Sequence, residues 1–187
     1  MGNIPTPDEA KEILHEFTQS PNLRRHAMAV GRAMRIYATR YGEDSDRWEV
    51  VGLLHDFDYE RYPSTAEHPF QGAKILRERG IAEEIIQDIF AHAPHTGQPR
   101  DTMLRKAIFA CDELTGFITA VALVQPSKKL SEVTTERVVK KLKSKGFAAA
   151  VSRADIEEGA RDLGVSLPEH VSIVLGALQG IAETLGL

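Results

Sequence analysis

Val50-Val51-Gly52-Leu53-Leu54-His55-Asp56 decides the reading of this chain. An apolar run of helical character ends in a histidine and an aspartate, so two polar side chains leave a segment that belongs in a core. Burying an imidazole and a carboxylate without partners costs several kcal/mol. Imidazole nitrogen and carboxylate oxygen are standard ligands of divalent first-row metals, so a metal ion is one partner that fits both. Adjacent helical residues point about 100° apart. The doublet therefore shares one ion only near a helix end, or with the carboxylate bridging two ions.

Outward from the doublet, almost every segment reads as helix. Thr6 and Glu9 form a capping box with Pro7 at the first helical position, and the helix runs to about Thr18. Ser20-Pro21 repeats the cap-then-proline signal. The next helix places Leu23, Ala27, Val30, Ala33, Met34 and Tyr37 on one face and stops at Gly42. Asp44 or Asp46 caps a helix over 48–56. Residues 58–67 read as loop, with Pro63 and Ser64 as breakers. Further helices are expected over 69–79, 83–93, 101–125, 131–145, 152–163 and 168–185. The β-branched stretch Val121 to Val124 continues a helical pattern, so the expected fold class is all-α. Six of the seven histidines fall in the first 95 residues. That shift places a boundary near Ser127, between a metal-binding helical domain over 1–126 and a helical extension over 127–187 packed on it.

A net charge of -4 argues against a general nucleic-acid binder. Any phosphate-bearing substrate must then be drawn in locally, by metal or by a few Arg and Lys side chains. The basic stretch 137–145 is short and broken by apolar residues, and reads as a solvated helix face. The single cysteine, Cys111, forms no internal disulfide, which fits a reducing cytoplasm. The first residues, Met1 to Pro7, lack the basic-then-apolar pattern of a signal peptide. No stretch approaches the ~20 apolar residues of a membrane span. A soluble cytoplasmic protein is expected.

Other positions share the character of the doublet. His26 belongs to, or borders, the buried stripe of its helix. Asp112 ends the run Ala107-Ile108-Phe109-Ala110-Cys111, which is too apolar for a solvated acid, and His92 follows Ile89-Phe90-Ala91. Four helices thus each project a metal-competent group from an apolar context. Asp56, Asp58 and Glu60 are the candidate catalytic carboxylates. Arg25, next to His26, and Arg61 are candidates to counter phosphate charge, and His95, beyond Pro94, to touch substrate. Cys111 reads as packing, and His15 and His170 as structural or exposed.

These residues resemble the HD-domain superfamily of metal-dependent phosphohydrolases, in its HDIG-like form. The resemblance rests on Leu23-Arg24-Arg25-His26-Ala27, Gly52-Leu53-Leu54-His55-Asp56 and Phe109-Ala110-Cys111-Asp112, in that order, over residues 20–120. It implies a helical bundle of the HD type with additional C-terminal helices. It also implies a first metal held by His26, His55, Asp56 and Asp112. The subset with two metals adds a histidine in a His-Pro…Gly…Ile-Leu segment, matched by His68-Pro69…Gly72…Ile75-Leu76, and one at the next helix end, matched by His92. Asp56 would then bridge to a second ion held with His68 and His92. The Gly-Tyr-Pro segment of the signalling phosphodiesterases is missing, and Phe57-Asp58-Tyr59-Glu60 stands where a lysine often follows the doublet, so a cyclic dinucleotide substrate is not expected. The implied activity is hydrolysis of a phosphoester, a nucleotide or another small phosphorylated metabolite, by metal-activated water. One or two divalent ions (Mn, Mg, Co, Zn, Ni or Fe) are the expected cofactors. Two alternatives remain open: a di-iron oxygenase of the same fold, and a non-catalytic metal- or nucleotide-binding helical module. A second copy of the chain is a further candidate partner, the helices after Ser127 either roofing the site or forming a dimer face.

Overall fold

Local chemistry sets most helix starts. Thr6 accepts from the Glu9 amide while the Glu9 carboxylate accepts from the Thr6 amide at 2.7 Å, closing the capping box. Ser20, Asp44, Thr102, Thr134, Ser152 and Ser166 each accept a backbone N–H at a later helix start. In a computed structural model that describes residues 2–187, the helices are α1 (Pro7–Phe17), α2 (Pro21–Tyr41), α3 (Ser45–Leu54), α4 (Phe70–Glu78), α5 (Glu83–Phe90), α6 (Met103–Leu123), α7 (Thr135–Leu142), α8 (Arg153–Asp162), α9 (Leu167–Gln179) and α10 (Ala182–Leu185). The fold is all-α. Among the described residues the only extended pairing is one isolated bridge between Asn3 and Ile81. Met1, part of the segment read for a signal peptide, lies outside the described residues. No described helix is long and apolar enough to cross a membrane.

The helix expected over 48–56 runs Ser45–Leu54, started by the Asp44 cap, and three others differ from expectation, each for a local reason. The helix expected over 83–93 ends at Phe90, because Pro94 pushes Ala93 into extended backbone at φ -107°, ψ 109°. His92 therefore sits in the turn after α5. The helix expected over 131–145 starts only at Thr135, after a 3₁₀ turn at Leu130–Glu132 and the Thr134 cap, and stops at Leu142. The helix expected over 168–185 breaks after Gln179 into α9 and α10, with Ile181 outside helical geometry at φ -128°.

Helices α2 and α3 run antiparallel and touch through their backbones. A Cβ on Gly52 would stand 2.6 Å from Gly31 Cα, so two glycines are required at the crossing. Arg35 of α2 pairs with Asp46 at 2.5 Å and Glu49 at 2.8 Å, fixing the register at one end of the pair. The other end carries His26 and His55. Helix α6 packs along α2, and α8 approaches α6 as closely, a Cβ on Gly159 meeting Ala110 Cα at 2.6 Å.

The helices after Ser127 share this core rather than lying outside it. Val138, Ile156, Val174 and Leu178 join Met34, Leu114 and Phe117 in one contiguous apolar cluster. His170 of α9 is fully buried: the Tyr37 hydroxyl donates to its Nδ1 at 2.6 Å, and its Nε2–H donates to the Ala110 carbonyl at 2.9 Å. Burial pushes its pKa down to about 4, so a neutral imidazole ties α9 to α2 and α6.

Alanine at a helical glycine ordinarily stabilises by up to about 1 kcal/mol. Gly52→Ala is expected to do the reverse, destabilising by about 1–3 kcal/mol in a denaturant titration, because the added methyl overpacks a backbone contact. An increase in stability would mean that α2 and α3 do not meet as described.

Candidate metal centre

The crossing of α2 and α3 delivers His55, at the C-terminal end of α3, to His26 near the start of α2. Their Nε2 atoms lie 3.3 Å apart. Asp112 reaches the same point from α6, with Oδ1 at 2.9 Å from His26 Nε2 and 3.5 Å from His55 Nε2. These three residues form a first nest. The second nest is Asp56, His68 and His92. His68 Nε2 lies 3.2 Å from Asp56 Oδ1 and 3.0 Å from His92 Nε2, and His92 Nε2 lies 3.4 Å from Asp56 Oδ1. Asp56 joins the two nests, because its other oxygen, Oδ2, lies 3.5 Å from His55 Nε2.

Hydrogen bonds on the far side of each ring decide which nitrogen faces inward. His55 Nδ1–H donates to the Gly52 carbonyl at 2.8 Å, and His92 Nδ1–H to the Ile89 carbonyl at 2.7 Å. His68 Nδ1–H donates to Asp58 Oδ1 at 2.8 Å. With Nδ1 protonated, each Nε2 turns a lone pair into its nest. Lone pairs 3.0 Å apart repel unless a proton or a metal ion lies between them. An ion about 2.0–2.2 Å from each donor sets donors about 2.9–3.5 Å apart, which is the spacing found in both nests. The donor set and its spacing fit a divalent ion at each.

The charges agree with this. Burial opposes ionisation of Asp56 and Asp112, but His55 with His68 and His92 around the first, and His55 with His26 around the second, hold both carboxyls well below the usual range. Burial likewise lowers the His55 imidazole, yet Asp56 and Asp112 outweigh it and hold it at about 9. His68 is held at about 9 by Asp56 and Asp58, again against burial. His55 has no exposed surface, whereas the His26, Asp56 and Asp112 side chains are 23%, 19% and 23% exposed, so the two nests open to solvent on one side.

The other expected site residues divide. Asp58 is fully buried, with Oδ1 on His68 and Oδ2 accepting from the Gly72 amide at 2.7 Å. It orients a nest histidine. Gly72, already part of the His-Pro…Gly segment, gains a physical reason: a Cβ there would stand 2.7 Å from the Asp58 carboxyl carbon. Glu60 is not brought to the nests, since its Oε2 accepts from the Gln19 and Ser20 amides at 2.6 and 3.0 Å ahead of α2. Arg61 is turned toward α1, donating to the Glu16 carbonyl at 2.7 Å with its guanidinium 4.3 Å from the Phe17 ring centre. Both follow from the loop after Asp58 folding back on α1 and the start of α2. His95 flanks the second nest, its Nε2–H donating to the His68 carbonyl at 2.9 Å. Arg25 is exposed beside His26. Tyr59, which the sequence did not single out, stands edge-on to His68 with ring centres 5.3 Å apart. Cys111 is buried, and burial raises its thiol pKa, consistent with packing.

Two outcomes follow from this geometry. His55 and His68 carry protons at pH 7 in the metal-free protein, and a bound ion must displace them. Divalent-metal affinity should rise with pH toward 9, by up to about tenfold per pH unit for each proton displaced, in chelator-competition titrations from about pH 6 to pH 8. A flat profile would contradict the protonated nests. Asp58→Ala should weaken the second ion about 10–100-fold and spare the first, so that elemental analysis falls toward one ion per chain. An unchanged stoichiometry with a slower reaction would instead give Asp58 a part in proton transfer.

A family model described as the HD domain matches residues 23–116, half of the chain and the span that holds all six nest residues. Among curated proteins, Ribonuclease Y of Nitratidesulfovibrio vulgaris is 32% identical over 109 residues, covering 56% of this chain and 20% of that protein. Ribonuclease Y of Oleidesulfovibrio alaskensis is 32% identical over 106 residues, and that of Lawsonia intracellularis 29% over 109, with the same coverage of 56% and 20%. The chain thus spans about one fifth of the length of these relatives (20%). No solved structure matches. The order His26, His55-Asp56, Asp112, the helical contexts and the matched span agree: the chain belongs to the HD-domain family, which is associated with metal-dependent phosphohydrolases.

Proposed function

We propose that the chain is a metal-dependent hydrolase of a small phosphoester, a nucleotide or another phosphorylated metabolite. The observation that carries this reading is the pair of nests sharing Asp56, each with donors 2.9–3.5 Å apart and open on one side. A purely structural site would be closed, with no position left for water or substrate. His26, His55, Asp112 and Asp56 would hold one ion, and Asp56, His68 and His92 the other. When bound, divalent ions here would polarise a phosphoryl oxygen and ready a water for attack near neutral pH. Imidazole-rich nests suit Fe, Ni or Zn better than Mg or Mn.

The remaining roles belong to the chain itself. Asp56 sets the distance between the two nests. Asp58 holds the His68 ring so that Nε2 stays turned inward. Arg25, exposed next to His26 in α2, would offset phosphate charge, and His95 and Tyr59 would wall the second nest. Glu60 and Arg61 would act only on the fold, by holding the loop after the doublet against α1. The boundary near residue 126 would then separate roles rather than cores, with every nest residue before it. Relatives named Ribonuclease Y support phosphoester chemistry at the nests. RNA as the substrate has less support here, because the net charge is -4 and only about a fifth of each relative (20%) is shared.

Protein purified without chelator or nickel resin should carry one or two divalent ions per chain by elemental mass spectrometry. It should release phosphate from aryl or alkyl phosphates, lose that activity with chelator, and regain it when metal is restored. His55→Ala should abolish both uptake and activity. Two irons per chain with oxygen consumption and no phosphate release would replace this reading with the di-iron oxygenase. No uptake of any metal would leave a non-catalytic helical module.

A further inference from the structure

His26 has a second environment. Besides the first nest, it lines a cavity of about 290 Å³ between α2 and α6 that α10 closes from the far side. The α6 wall continues from a nest residue: Asp112, Gly116 and Ala120 follow at intervals of four, and Leu123 ends the row. Arg25 stands at the α2 edge and Leu185 comes from α10. The cavity therefore adjoins the candidate metal centre through His26, and its lining is mostly aliphatic, with Arg25, Asn22 and Thr119 the other polar members.

Gly116 is the informative residue. Glycine inside a helix costs about 1 kcal/mol relative to alanine. At Gly31, Gly52, Gly72 and Gly159 the cost has a visible reason, since a Cβ there would meet neighbours at 2.6–3.1 Å; Gly176 of α9 is open like Gly116, and Gly116 differs from it in lining the cavity. At Gly116 nothing lies within 4 Å of that position, and its φ is not in the left-handed region. The missing side chain keeps space open one helical turn from Asp112.

We propose that this cavity receives the leaving group of the substrate, and that this group is compact and apolar, a single aromatic ring or a short branched chain. The inference rests on the phosphohydrolase reading and names its substrate class: phosphate monoesters of small apolar alcohols. At about 290 Å³ the space lies near the lower end for ligand sites, enough for one ring and too small for a dinucleotide. The phosphoryl group lies at the nests, with Arg25 offsetting its charge. Water adds to phosphorus, the P–O bond to the alcohol breaks, and a proton from the water ends on the alcohol, giving phosphate and R–OH.

The test compares benzyl phosphate with glycerol 3-phosphate, both alkyl monoesters, on the metal-loaded protein, and titrates benzylphosphonate and methylphosphonate by calorimetry. Wild type should prefer benzyl phosphate at least about tenfold in kcat/KM and bind benzylphosphonate at least about tenfold more tightly than methylphosphonate. Gly116→Leu should erase both preferences with metal content unchanged. Leu123→Asp, at a position 49% exposed and so tolerant of the change, should reduce both preferences even if Gly116→Leu does not fold. Turnover of both esters without preference, or equal binding of both phosphonates, would overturn the inference and leave the phosphohydrolase standing. No turnover of either ester while a nucleoside monophosphate is hydrolysed would overturn the inference alone, and no turnover of any of the three, with metal bound, would remove the underlying reading and this inference with it.

Discussion

Helices α2 and α3 lie close enough for one backbone to touch the other, and that closeness is possible only because Gly31 and Gly52 face each other. Packed helices ordinarily lie about 8–10 Å apart, axis to axis, at a distance set by the side chains at the contact. Drawing the helices together lets two imidazole side chains, His26 and His55, meet at 3.3 Å. Asp112 then needs only the packing of α6 on α2 to complete the first nest. The second nest inherits its position through Asp56, the residue after His55.

A cluster of four histidines and three carboxylates inside a helical core is costly unless every member is satisfied. Here the satisfaction is layered. Backbone carbonyls of Gly52 and Ile89 and the Asp58 carboxylate take the outer N–H groups, and Gly72 supplies a donor to Asp58 in turn. The inner nitrogens and oxygens are left facing one another across gaps that suit a cation. Removing a partner from such a buried network leaves an uncompensated charge, so the outer residues matter to the site although none of them lies in a nest.

The core and first nest were legible because buried polar residues contradict their apolar surroundings, as at His55, Asp56 and Asp112. Helical periodicity carried His26 in the same way. Legibility failed where periodicity fails. Residues 55–69 have no helical repeat, so nothing in the sequence says that Asp58 turns inward while Glu60 and Arg61 turn toward α1. His68 could be placed only through family resemblance, since a histidine before proline at a helix start is ordinarily exposed. The cavity was illegible for another reason: an empty space beside Gly116 is a property of three helices together, and no single one of them encodes it.

Sharing Asp56 gives the two nests a thermodynamic property that neither has alone. An ion at one nest would withdraw electron density from a carboxylate that the other also uses, while relieving repulsion among the surrounding donors. Occupancy of the two would then be one linked equilibrium, and whatever factor the first ion imposed on the second would be returned in full by the second on the first. Metal content in such a protein reports the balance between two coupled sites, and it responds to supply as a pair.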